Sequence, residues 1–223
     1  MSESDSFMHE VSEEVRRDKL FAFFKKYAWI FALVVIGIVG GAAYNEYSKT
    51  QTRTAAQAAG EALLDANEAA TSAAFAPLAE GDAPATVIAK MNQAAALVAE
   101  GQVGPAAAVL DSIAADGNVP ALYRDLALLK LVMINGANMG EGEVFEALDK
   151  LIAPNAPFRL LAMEQRAIVQ LRNGDIAATL ADLAEILKDD NATQSLRNRA
   201  QELTIALGGE IVAPTRLVET SDG

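Results

Sequence analysis

The chain has 223 residues, a formal net charge of −12, no cysteine and a single histidine, His9. These totals exclude a disulfide framework, a Cys/His zinc site and any nucleophile–His–Asp set after His9. Residues 1–45 hold five basic and six acidic groups, so −11 of the charge lies beyond them, which disfavours nucleic acid and anionic lipid headgroups as partners of the C-terminal bulk.

Residues 1–10 read as disordered, and residues 11–26 as a short amphipathic helix in which Glu13 is placed to pair with Arg17 one turn on. The 18 residues from Tyr27 to Tyr44 then carry no charge. At about 1.5 Å per residue they cover roughly 27 Å, close to the ~30 Å core of a bilayer. Large apolar side chains, among them Trp29, Phe31, Leu33, Val34, Ile36 and Ile38, fall on every face, and Tyr27 and Tyr44 stand where aromatic rings favour the headgroup level. The sequence predicts a membrane-spanning anchor here.

Arg16, Arg17, Lys19, Lys25 and Lys26 precede this stretch, whereas only Lys49 and Arg53 follow closely. That asymmetry predicts a cytoplasmic N-terminus and a C-terminal bulk across the membrane. A cleaved signal peptide is the rival reading, with Gly41-Ala42-Ala43 as its cleavage context. The long, acid-bearing segment before the apolar run favours the anchor. Gly37 and Gly41 are spaced four apart, which allows a homodimer through close helix pairing.

Thr54 to Ala74 is rich in alanine and predicts a helix continuing from the anchor, broken by Pro77, Gly81, Asp82 and Pro84. Beyond it the pattern is helical throughout. Helices are expected near 84–100, 104–115, 120–135, 141–153, 157–173, 175–189 and 193–207, separated by glycine, proline and asparagine turns. Gly101, Gly136 and Gly174 recur at spacings of 35 and 38, each between two apolar helices. Helix, glycine turn and helix at a period near 34 is the tetratricopeptide plan, in which hairpins stack to share a core. The repeat is degenerate, with Asp125 and Met163 where an early aromatic is expected. The fold class is therefore all-α: segment 1–26, a membrane helix at 27–45, an Ala-rich helix and linker at 46–83, a tetratricopeptide-like domain at 84–207 and a tail at 208–223.

This layout, with EEVRRDKLFAFFKKY ahead of one apolar helix and degenerate hairpins after it, resembles the bacterial ancillary Sec translocon subunit family. The resemblance implies an inner-membrane protein with a periplasmic repeat domain. It further implies association with Sec translocon subunits and a periplasmic chaperone that attend to newly exported proteins. An envelope scaffold for cell-wall assembly or division is the alternative.

No enzyme activity or cofactor is expected. GANMGEGE (136–143) lacks phosphate-cradling spacing. Glu141 with Glu143, and Asp189 with Asp190, fall in predicted turns and read as solvated carboxylates. What remains is recognition surface. Tyr123 and Lys130 are expected on an exposed face of the 120–135 helix, away from Leu122, Leu126, Leu129 and Met133. Arg159, Arg166 and Gln170 are the corresponding candidates for partner binding on the next first helix.

Overall fold

A computed structural model describes the backbone of residues 3–81 and 84–210, and their side chains except those of residues 3–28, 31, 32 and 84. Every regular element among the described residues is helical: α1 (Glu3–Ala69), α2 (Ser72–Phe75) with a following 3₁₀ turn (Ala76–Leu78), α3 (Pro84–Ala99), α4 (Val103–Ala115), α5 (Ala121–Asn135), α6 (Glu141–Leu151), α7 (Arg159–Arg172), α8 (Ile176–Lys188) and α9 (Gln194–Ala206). The chain divides into two compact units, Met1–Ala58 and Ala59–Gly223.

The backbone is already helical at Glu3, where the sequence reads as disordered. No glycine or proline occurs before Gly37, so nothing interrupts propagation. Within the first unit Trp29, Ile30, Val39, Tyr44 and Tyr47 are exposed, and so are the four consecutive residues Leu33 (56%), Val34 (52%), Val35 (57%) and Ile36 (65%). Among the described residues no helix is long and apolar enough to cross a membrane. The side chains of Tyr27, Ala28, Phe31 and Ala32, which belong to the expected span, lie outside the described residues. So do those of His9 and the basic residues Arg16, Arg17, Lys19, Lys25 and Lys26, and all of the tail from 211 onward.

The second unit begins within the last turns of α1. Leu63 and Ala66 there pack with Phe75 of α2 and Ala96 of α3. The Ala-rich helix ends at Ala69, earlier than Pro77 would dictate, because Ala70 takes a left-handed φ of 52°. The restart is fixed from a distance: the Glu100 carboxylate accepts from the Ser72 N–H and hydroxyl, both at 2.7 Å, and takes the place of a local N-cap for α2. These two donors hold the Glu100 carboxyl below its ordinary range.

From α3 onward all seven helices lie within two residues of their expected bounds. Each packs on the next, and α5 also packs on both α3 and α7. The core is a series of clusters. Ala94, Leu110, Ile113, Ala127 and Leu131 join α3, α4 and α5. Leu129, Val132, Val144, Leu148, Leu151 and Ala162 join α5, α6 and α7. Met163, Ala167, Leu183, Ile186, Leu196 and Ala200 join α7, α8 and α9. Met139 packs on the first and second clusters, and Ile152 on the second and third.

Two of the three recurring glycines do the same work. Gly101 and Gly174 have φ of 76° and 81°, and the next residue's N–H reaches back five positions, from Gln102 to Leu97 O at 2.8 Å and from Asp175 to Gln170 O at 2.9 Å. This is a Schellman end, which closes the helix and reverses the chain. Gly136 differs: its backbone stays right-handed and it leads into the longer 136–140 turn. The helices that follow are started locally. Asp175 caps α8 through the Ala178 N–H, Thr193 caps α9 through the Leu196 N–H, and the Glu143 carboxylate accepts from the Gly140 N–H ahead of α6.

Candidate functional site

The five side chains singled out as partner-binding candidates are largely engaged within the fold. Tyr123 is not on an open face: it is half-buried against the Ala127 and Leu131 side of α5. Lys130 is half-buried as well. The expected orientation of α5 is reversed because this helix is flanked on two sides. One arc (Tyr123, Ala127, Leu131) meets α3 and α4, and another (Leu128, Leu129, Val132) meets α6 and α7. The gap between those arcs falls at Leu122 and Met133, which are 52% and 58% exposed. Of the expected core stripe only Leu129 is fully buried, and Leu126 is half-buried.

On α7 the candidates act as internal struts. The Arg166 guanidinium donates from Nε and Nη2 to the Asp182 carboxylate of α8 at 2.9 and 2.7 Å, and from Nη1 to Asp149 of α6 at 2.9 Å. The hydrogen bonds that the guanidinium donates to Asp182 come first in holding the Arg166 pKa above its ordinary value. Asp182 is a buried carboxylate, and such groups persist when paired in this way. Arg159 pairs with Asp189 and also donates to Met163 Sδ at 3.4 Å. Asp189 is no free turn carboxylate either. It accepts from the Asn191 N–H at 2.8 Å, which with Arg159 holds its carboxyl below the usual range. Gln170 lies on the same side, its Oε1 buried without a hydrogen-bond partner among the described residues.

The open side of α7 is its other side, which carries Leu161 and Ile168, seven positions apart and both exposed. Ile168 also lines a shallow groove of about 420 Å³ between α7, α8 and α9. Leu203 and Ala206 line it too, beside Glu164, Arg199 and Glu202. Arg199 and Glu164 close on each other through two hydrogen bonds, at 2.7 and 2.8 Å, so Glu202 is the groove charge outside that pair. Leu122 and Met133 on α5, and Leu161 and Ile168 on the adjoining α7, are the best candidates for recognition: large apolar side chains, exposed and unused by any core cluster, with Glu164 and Glu202 beside Ile168. Sequence reasoning bypasses Leu161 and Ile168 because their spacing reads as core. The available signal is that Met163 and Ala167 already mark a second apolar side on the same helix.

Among the described residues no three His, Cys, Asp or Glu side chains are grouped to hold a metal ion. Glu141 accepts from Asn173 Nδ2 at 2.7 Å, tying the start of α6 to the end of α7. The groove at Ile168 is thus lined by apolar side chains and one closed ion pair. The chain matches no protein-family model, no curated protein and no solved structure.

Proposed function

We propose that the protein is a membrane-anchored adaptor: one helix at 27–45 in the inner membrane, residues 1–26 in the cytoplasm, and a tetratricopeptide-like domain in the periplasm. It holds protein partners there, ancillary to the Sec translocon and to a chaperone of exported proteins, and works by binding rather than catalysis. The observation that carries the reading is the exposure of Leu33 to Ile36 on α1. Four successive helical positions stand about 100° apart, so together they take in every side. A protein groove covers one side of such a helix, whereas a bilayer covers all of them. Beyond their own turn of the helix, Gly37 and Gly41 have nothing within 4 Å of the place a methyl group would take, which leaves room for a second anchor helix.

The repeat assignment is supported by the packing of α5 on both α3 and α7 and by the shared chain reversal at Gly101 and Gly174. Partner binding is supported by the exposed apolar side chains on α5 and α7. Export rests on the sequence resemblance, and the anchor raises the local concentration of whatever the domain binds at the membrane.

The test is gentle purification of the tagged chain from its own membranes, with mass spectrometry of what accompanies it. The control carries the anchor with everything after Arg53 removed. Sec subunits and a periplasmic chaperone should accompany the full chain and not the control. Recovery of division or cell-wall proteins in their place would move the function to an envelope scaffold. Full-length chain in the soluble fraction after cell breakage would overturn the anchor.

A further inference from the structure

The cations of the second unit are largely engaged within it. Lys150, Arg159, Arg166, Lys188 and Arg199 each close on a carboxylate, and Arg124 and Arg197 donate to the carbonyls of Gly117 and Asp189. Carboxylates are left over, because −11 of the formal charge lies beyond residue 45. The field that meets an approaching chain is therefore negative, and it favours a basic one.

The groove between α7, α8 and α9 sets part of that surplus against apolar area. Its floor is the buried Leu183, and its sides carry Ile168, Leu203 and Ala206. Each nitrogen of the Arg199 guanidinium already has an acceptor: Nε and Nη2 donate to the two Glu164 oxygens, and Nη1 to Ser195 Oγ at 3.0 Å. Glu202 is exposed, one turn before Ala206 on α9, and has no cation partner among the described residues. An apolar cavity of about 150 Å³ is enough for a benzene molecule. The groove, at about 420 Å³, therefore admits an aliphatic side chain together with the stem of a neighbouring lysine.

We propose that this groove holds a segment of another polypeptide in which an aliphatic residue stands beside a lysine or arginine. The aliphatic side chain packs against Ile168, Leu183 and Leu203, and the cation meets Glu202. The proposal rests on the domain being a holder of protein partners. It needs neither the anchor nor the export resemblance, so the membrane purification can fail while the test below succeeds.

With no native cysteine, Ala206→Cys places a single thiol at the groove edge. The full chain in mild detergent is equilibrated with the end-capped peptides CGLKG, CGGKG and CGLEG. The reading is the β-mercaptoethanol concentration that halves each mixed disulfide. Burying a leucine and forming an exposed charge pair set the scale: CGLKG should resist about tenfold more reductant than CGGKG and about fivefold more than CGLEG. Adding Glu202→Gln should cut the lysine preference below about twofold, and adding Ile168→Ala should cut the leucine preference below about threefold. Ala177→Cys, exposed on α8 outside the groove, should hold all three peptides alike. Equal retention of the peptides by A206C, or the same preferences at A177C, would overturn the proposal. So would an A206C thiol that exchanges with no peptide, which would give the groove to the chain itself. A206C chains linked to each other more durably than to CGLKG would give it to a second copy. Should Ile168→Ala lower the melting temperature, Glu202→Gln alone decides, and a lysine preference that survives it sinks the idea.

Discussion

Replacing Asp182 by asparagine tests whether the α6–α7–α8 strut stabilises the domain. The carboxylate is nearly enclosed and takes two charge-assisted hydrogen bonds from Arg166. Removing one partner of a fully buried pair costs about 3–5 kcal/mol, and a hydrogen bond to a charged group is worth about 1.5–3. Arg166 keeps Asp149 as a second acceptor, and its side chain is 23% exposed, so water relieves part of the loss. These offsets bring the expected cost to about 2 kcal/mol. With a urea m-value of about 2 kcal/mol/M, the unfolding midpoint of the full chain in mild detergent, followed by far-UV circular dichroism, moves down by about 1 M. The double variant Arg166→Met with Asp182→Leu removes both charges and should return to within about 1 kcal/mol of the parent. Lys150→Ala, which breaks the exposed Lys150–Glu146 pair, provides the scale of a surface contact at about 0.5 kcal/mol. An Asp182→Asn midpoint no lower than that of Lys150→Ala would refute the reasoning.

Other outcomes follow from single positions. Gly174→Ala forces a side chain into left-handed backbone and should cost about 1–2 kcal/mol, whereas Gly142→Ala, in open space on α6, should gain about 0.5, both read by urea unfolding. Leu148→Ala empties the centre of the second cluster and should cost about 3 kcal/mol in the same assay. The folded-state pKa values of Asp189 and Glu100 are lowered, so their contribution is complete above the unfolded carboxylate pKa of about 4 and is lost as pH falls through the folded values. Asp189→Asn should therefore flatten the fall in melting temperature as the pH drops below about 4, and an unchanged profile would remove Asp189 from the acid response.

The helices α3 to α9 are legible in the sequence because their punctuation is local: glycine, proline and cap residues act within a few positions of themselves. The break between α1 and α2 is not, because Glu100, which holds Ser72, is 28 residues away. The face of α5 escapes periodicity for a related reason. Periodicity finds one apolar stripe, but a helix packed on both sides buries a wider arc, and the polar-tipped Tyr123 falls inside it while Met133 falls outside. Arg159 and Arg166 look available in sequence because their carboxylate partners lie 30 and 16–17 residues away, in the turn after α8, on α8 and on α6. For the same reason the exposed apolar pair on α7, the most direct pointer to a recognition surface, emerges only once Met163 and Ala167 are seen to occupy the core.

The series of clusters has a consequence for how this sequence can change. Among the described residues the first and third clusters share none, and Met139 and Ile152 each touch two clusters. Substitutions in separate clusters should add, since energetic coupling requires shared partners. A change of volume in the first cluster therefore needs no compensation in the third, while the second, touched through Met139 and Ile152, feels changes on either side of it.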